Sequence, residues 1–163
     1  METAISLSPM KAPFMEDINK IDFTMVKLKL QEPPHEGQGW SAAQADMAEI
    51  EYKRFLALKR IYPEKDIVPH KDVDLFWHQH ILDTERYAKD CNIIFGFFLH
   101  HYPYFGMNGP EDEQNLMDAF EETKQLYTES FDVEYLAKPT KPEKPQKCLA
   151  PKCRTQCKPM KCK

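Results

Sequence analysis

The sequence predicts an all-α fold: a compact, bundle-like helical single domain with a disordered Lys/Pro/Cys-rich C-terminal tail. Three observations predict it. Apolar residues recur at three- and four-residue spacings over long stretches between Ala42 and Tyr127, helix-opening residues stand at the heads of those stretches, and no pair of convincing strands exists to build a sheet. At 163 residues, with 42% hydrophobic and 12% aromatic side chains, the chain can bury a real core.

Residues Met1 to about Asn19 read as a weakly ordered lead-in, because Pro9 and Pro13 disfavour regular structure. Ile21 to Leu30 fits either period: Val26, Leu28 and Leu30 alternate with lysines, whereas Ile21, Met25 and Leu28 share a helix face. With no strand partner in view, helix is the expectation. Pro33, Pro34, Gly37 and Gly39 then make a loop. Ser41 followed by Gln44 is a capping-box signature and opens a helix from Ala42 to about Ile61, with Met47, Ile50, Leu58 and Ile61 on its apolar stripe and Tyr52, Phe55 and Leu56 broadening it. Tyr62-Pro63 stops it. Pro69 and Asp72 introduce one long helix from Val73 to about Phe95, whose apolar set is Val73, Phe76, Trp77, Ile81, Ala88, Cys91, Ile94 and Phe95. An aromatic connection runs from Gly96 to Gly109. Pro110 at a first helical position, with Glu111, Asp112 and Glu113 behind it, starts the last helix, with Leu116, Phe120, Thr123 and Tyr127 facing inward. The domain is expected over residues 21–137, with the tail from 138 to 163.

The net charge of −4 conceals an asymmetry. Lys138 to Lys163 carries eight Lys, one Arg and a single Glu, so the rest of the chain is strongly acidic. An acidic body argues against a nucleic-acid-binding domain, although the basic tail could touch polyanions or fold back on the body. No apolar run approaches the ~18–20 residues of a membrane span, and the N-terminus lacks a basic region followed by an apolar core. The expected location is cytoplasmic, and the expected partner a small molecule or a protein.

Chemistry concentrates between Asp72 and Gly106, which holds four of the six histidines and nine of the aromatic residues. Imidazoles and carboxylates in so apolar a stretch need partners when buried. At about 100° per residue, Asp74 and His78 stack one turn apart, while His78 and His80 point roughly 200° apart. One helix therefore cannot aim both histidines at one ion. The better set is Asp74 and His78 closed by His100 or His101 from the later loop, a carboxylate with two imidazoles suited to zinc or iron. His80 is then a candidate acid–base partner, its ring held by Asp83 and Thr84. The same residues equally admit a purely structural reading, in which imidazole and carboxylate satisfy each other, or a metal-free catalytic one. Phe76, Trp77, Tyr102, Tyr104 and Phe105 read as core packing rather than a substrate cage, and Cys91 as an inert buried thiol.

The tail holds Cys148, Cys153, Cys157 and Cys162 at intervals of four, three and four residues, each beside a Lys or Arg. Positive neighbours favour thiolate, and four thiolates could wrap zinc or Cu(I). Two disulfides, redox-active thiols, a target for a modifying enzyme and a plain solvated tail remain alternatives.

Glu51-Tyr-Lys-Arg-Phe-Leu-Ala-Leu58, Ile67-Val-Pro69, Val73-Asp-Leu-Phe-Trp-His-Gln-His-Ile-Leu-Asp-Thr84, Tyr87, Asp90-Cys91, Phe95-Gly96 and His100-His101-Tyr-Pro-Tyr-Phe-Gly106 together resemble the glycine-rich domain-containing protein-like family over roughly Trp40 to Tyr127. The resemblance implies a compact, mainly helical domain and supplies no reaction. The chain departs from the family's name in having only five glycines. Three functions follow from the reading: a metal-binding domain with enzymatic consequence, a non-enzymatic interaction module whose tail binds metal or a partner, and a recognition domain carrying a thiol-rich peptide for other enzymes to modify.

Overall fold

The computed structural model describes residues 13–135, so the tail thiols Cys148, Cys153, Cys157 and Cys162 lie outside it. Among the described residues there are six helices and no strand: α1 Pro13–Asn19, α2 Thr24–Gln31, α3 Ala42–Ile61, α4 Lys71–Leu82, α5 Thr84–Phe95 and α6 Pro110–Phe131. None of them is long and apolar enough to cross a membrane.

Helix α3 is the hub, packing against α1, α2, α4 and α6. Its start follows the capping-box expectation, with Ser41 Oγ accepting from the Gln44 amide at 3.1 Å. Its core face differs from the expected stripe. Met47 is 46% exposed and Ile50 and Ile61 are only half-buried; Tyr52, Phe55, Leu56 and Leu58 are buried as expected, and Ala45, Ala48 and Ala57 join them in the core. The small alanines let neighbouring helices approach closely, and the large rings fill what remains.

Two further differences come from local backbone chemistry. Pro13 stands at the first position of α1, where a missing amide hydrogen costs nothing, so residues 13–19 are helical and bury Met15 and Ile18. The long helix expected from Val73 to Phe95 is two helices. Asp83 leaves the helical region, with φ −83° and ψ 74°, and serves as the end of α4 and the start of α5. No proline or glycine marks that break. Its effect is visible in two pairs ten residues apart: Trp77 Nε1 donates to Tyr87 Oη at 3.0 Å, and His80 Nε2 meets Asp90 Oδ2 at 2.8 Å. In an unbroken helix those partners would sit about 15 Å apart along the axis. The reversal also swaps Ala88, which is exposed, for Tyr87 in the core.

α6 closes the bundle on the inward residues expected, Leu116, Phe120, Thr123 and Tyr127. With Tyr135 just beyond its end, it also fixes the extended segment between α3 and α4: Thr123 Oγ1 accepts from the Val68 amide at 3.0 Å, and Tyr135 Oη accepts from the His70 amide at 3.0 Å. His70 in turn caps α4, its Nδ1 accepting from the Asp72 amide at 3.3 Å.

Candidate metal centre

The connection between α5 and α6 is aimed by two glycines. Gly96 ends α5 in the left-handed region at φ 74° and turns the chain toward α4. Gly106, at φ 83°, lies so close to α6 that a Cβ there would come within 2.5 Å of Leu116 Cδ2. Asp112 in the first turn of α6 accepts from the Gly106 and Asn108 amides at 2.7 and 3.0 Å, pinning the loop's far end. Its near end is tied at Leu99, whose carbonyl accepts from Tyr87 Oη. Because Tyr87 also accepts from Trp77, and the Trp77 ring lies 4.2 Å from that of His101, the loop is registered against α4 two residues before His101.

That registration brings three donor atoms together. His101 Nε2 is 2.9 Å from Asp74 Oδ1 and 3.0 Å from His78 Nε2, and His78 Nε2 is 3.4 Å from Asp74 Oδ1. With metal–ligand bonds of about 2.1 Å, adjacent ligands sit ~3.0 Å apart at right angles and ~3.4 Å apart at tetrahedral angles. Two edges match the right-angle spacing and the third the tetrahedral one, so the three atoms can share one face of an ion. Proton placement gives the same reading: two ring nitrogens in contact and sharing one carboxylate cannot each have a well-directed N–H donor and acceptor, whereas a cation accepts all three lone pairs. The three side chains keep 12–18% exposure, so the position is shielded without being sealed.

Asp74 and His101 also face a cavity of about 300 Å³. Its other walls come from Lys59 at the end of α3, the segment 66–69, Trp77 of α4, the loop residues His100, Tyr102, Pro103 and Phe105, and Leu116 of α6. Of the expected site residues, Asp74, His78 and His101 converge, and His100 does not join them: it is exposed on the cavity rim beside the Phe98 ring. Tyr102 and Tyr104, expected in the core, are 63% and 45% exposed, because the proline- and glycine-containing loop holds them on the outer surface.

His80 lies in separate surroundings. It is 1% exposed and enclosed by the rings of Phe23, Tyr52 and Tyr87. Nε2 pairs with Asp90, and Nδ1 meets Tyr52 Oη at 2.9 Å. Asp83 and Thr84, expected to hold this ring, do not, since the helix break turns Asp90 onto it instead. Burial pushes the Tyr52 phenol well above its ordinary range, helped by Tyr87, Cys91 and Asp90, so Tyr52 stays a donor. Cys91 is buried and reduced, and burial raises its thiol too, as an inert cysteine requires.

Sequence reasoning missed Lys59 and the Tyr87–Leu99 tie. Lys59 looks like an ordinary basic residue in the last turn of a helix, and the tie depends on a break that no residue announces.

The bundle and its cluster define a helical domain with a His/His/Asp set capable of coordinating a metal ion. A family model described as UCP032817-like matches residues 18–132, and the chain belongs to that family. No curated protein matches the chain, and no solved structure does.

Proposed function

We propose that this domain binds a single zinc or iron ion through Asp74, His78 and His101 and uses it on a small molecule held in the adjoining cavity. The observation that carries the reading is the three-atom triangle, with edges of 2.9, 3.0 and 3.4 Å, built from two elements far apart in sequence. One carboxylate and two imidazoles leave the remaining coordination positions open, as catalytic rather than structural sites do. An ion there supplies Lewis-acid activation of a water or of a substrate oxygen. The chain's own residues do the rest. Trp77 and the Tyr87–Leu99 tie hold His101 in place, the aromatic and proline walls narrow the access of water, and the half-buried Asp74 lowers the cost of bringing a cation in. His80, with both ring nitrogens engaged inside the core, is assigned to holding α4 against α5.

The test is elemental analysis of the full chain, of a chain lacking residues 138–163, and of each carrying Asp74→Ala. The expected result is one equivalent of zinc or iron retained without the tail and lost with Asp74. Metal that disappears with the tail, or is unaffected by Asp74→Ala, contradicts the proposal. A second reading, a non-enzymatic interaction module, draws on the exposed Phe97, Phe98, Tyr102, Tyr104 and Met107 clustered along the loop. It predicts a partner whose binding survives metal removal.

A further inference from the structure

Most of the half-buried cations among the described residues are answered by acids. Lys27 reaches Asp46 and Glu49 at 3.0 and 2.7 Å, Lys53 reaches Glu49 at 2.8 Å, and Arg60 reaches Asp17 at 3.3 Å. Lys59 differs. It lines the cavity beside Asp74 and His101, and among the described residues its ammonium has no hydrogen-bond or ion-pair partner. Burial holds that ammonium below its ordinary range, and Asp66, acting without a contact, offsets only part of the effect. A half-buried ammonium that faces a cavity and has lost part of its hydration gains from an anionic ligand that completes it.

We propose that the cavity binds a small carboxylate with an apolar or aromatic body, its anionic group paired with Lys59 and its body against Trp77, Phe105 and Leu116. The volume sets the scale. A dry cavity of about 150 Å³ holds benzene, so one of about 300 Å³ admits a monoaromatic acid or a short-chain fatty acid. Charge balance makes the inference rest on the metal-centre reading: Asp66 and Asp74 both line the cavity, and an ion at Asp74 offsets enough of their negative charge for Lys59 to hold a carboxylate. The acid is then the substrate class for that centre, gripped at Lys59 with its body beside the Asp74–His101 wall.

The test uses 3-phenylpropionate and its neutral amide as probes of the full chain, zinc-saturated and chelator-treated, followed through the indole N–H signal of Trp77 with Trp40 as internal reference. The acid should bind the zinc-saturated chain about tenfold more tightly than the amide, as one charge-assisted contact allows. Lys59→Met should erase that preference, and Lys59→Arg should keep most of it. Equal binding of acid and amide to the wild-type chain, or a preference that survives Lys59→Met, overturns the inference even where zinc binds the triad. A Lys59-dependent preference identical in zinc-saturated and chelated chain, and unmoved by Asp74→Ala, supports the anion site while contradicting its role as the substrate site of a metal centre.

Discussion

His80 and the His78–His101 pair lie on or against the same helix and use the same chemistry, imidazole against carboxylate, yet their surroundings differ in one decisive respect. At His80 every polar atom in reach is consumed: Nε2 by Asp90, Nδ1 by Tyr52, and the ring faces by aromatic edges. At His78 and His101 two ring nitrogens and one carboxylate oxygen crowd a single point at the edge of a cavity. A saturated network buried in low dielectric fixes a fold, and a convergent set of lone pairs with access to a cavity receives something. The difference teaches that histidine-rich sequence is no guide to function until the partner count at each ring is known.

The comparison can be broken most forcefully at the sealed site. Asp90→Ala leaves the His80 Nε2–H without its acceptor in the core, and urea unfolding should show a loss of about 2–3 kcal/mol, the range for orphaning a buried donor that had bonded a charged acceptor. A loss below 1 kcal/mol would mean that the His80 network is not structural. At the open site the pattern should invert. His101→Ala should lower zinc affinity at least about 100-fold, worth ~2.7 kcal/mol of binding, while the metal-free chain loses less stability than with Asp90→Ala. Equilibrium dialysis and unfolding of the same preparations check both halves.

Tyr87→Phe sharpens the contrast because Tyr87 touches both regions. Removing its hydroxyl orphans the Trp77 indole N–H and frees the Leu99 carbonyl. The expected cost is about 1–2 kcal/mol of stability and about tenfold in zinc affinity, through a loosened His101. Unchanged metal affinity would detach the tie from the site.

The smallest effect serves as a surface control. Burial works to raise the Glu49 carboxyl, but hydrogen bonds and charge from Lys27 and Lys53 outweigh it, and the group is held below its ordinary value. A folded value below the unfolded one contributes stability above the unfolded value, near pH 4.5, that is lost as the pH falls through the folded one. Glu49→Gln should therefore flatten the acid limb of the stability–pH curve by a few tenths of a kcal/mol, as for other partly exposed pairs, and leave zinc affinity unchanged. A curve of wild-type shape would show that the lysines do not act on Glu49 in this way.

Much of the fold was legible in the sequence because helix punctuation is local. Ser41 with Gln44 marked the start of α3, and Pro110 with its acidic turn marked α6. Asp74 and His78 were readable as a pair because a one-turn spacing fixes their geometry, and the later His-His pair supplied the natural closure. What stayed hidden depends on contacts distant in sequence. The choice of His101 over His100 follows from the Leu99 anchor and the Trp77 ring. The break at Asp83 is stabilised by the Trp77–Tyr87 and His80–Asp90 pairs that it creates, and no turn residue announces it. The alanine-lined face of α3 escaped because a stripe of small residues carries little weight in a reading based on large apolar side chains.

The most direct measurement of the central claim is zinc-edge X-ray absorption on a chain whose four tail cysteines are replaced by serine, loaded with one equivalent of zinc. A first shell of nitrogen and oxygen at about 2.0–2.1 Å with outer-shell scattering from two imidazoles is the predicted result. Loss of that signature in His78→Ala would complete it. A chain that retains no zinc, or a shell without imidazole scattering, would contradict the account.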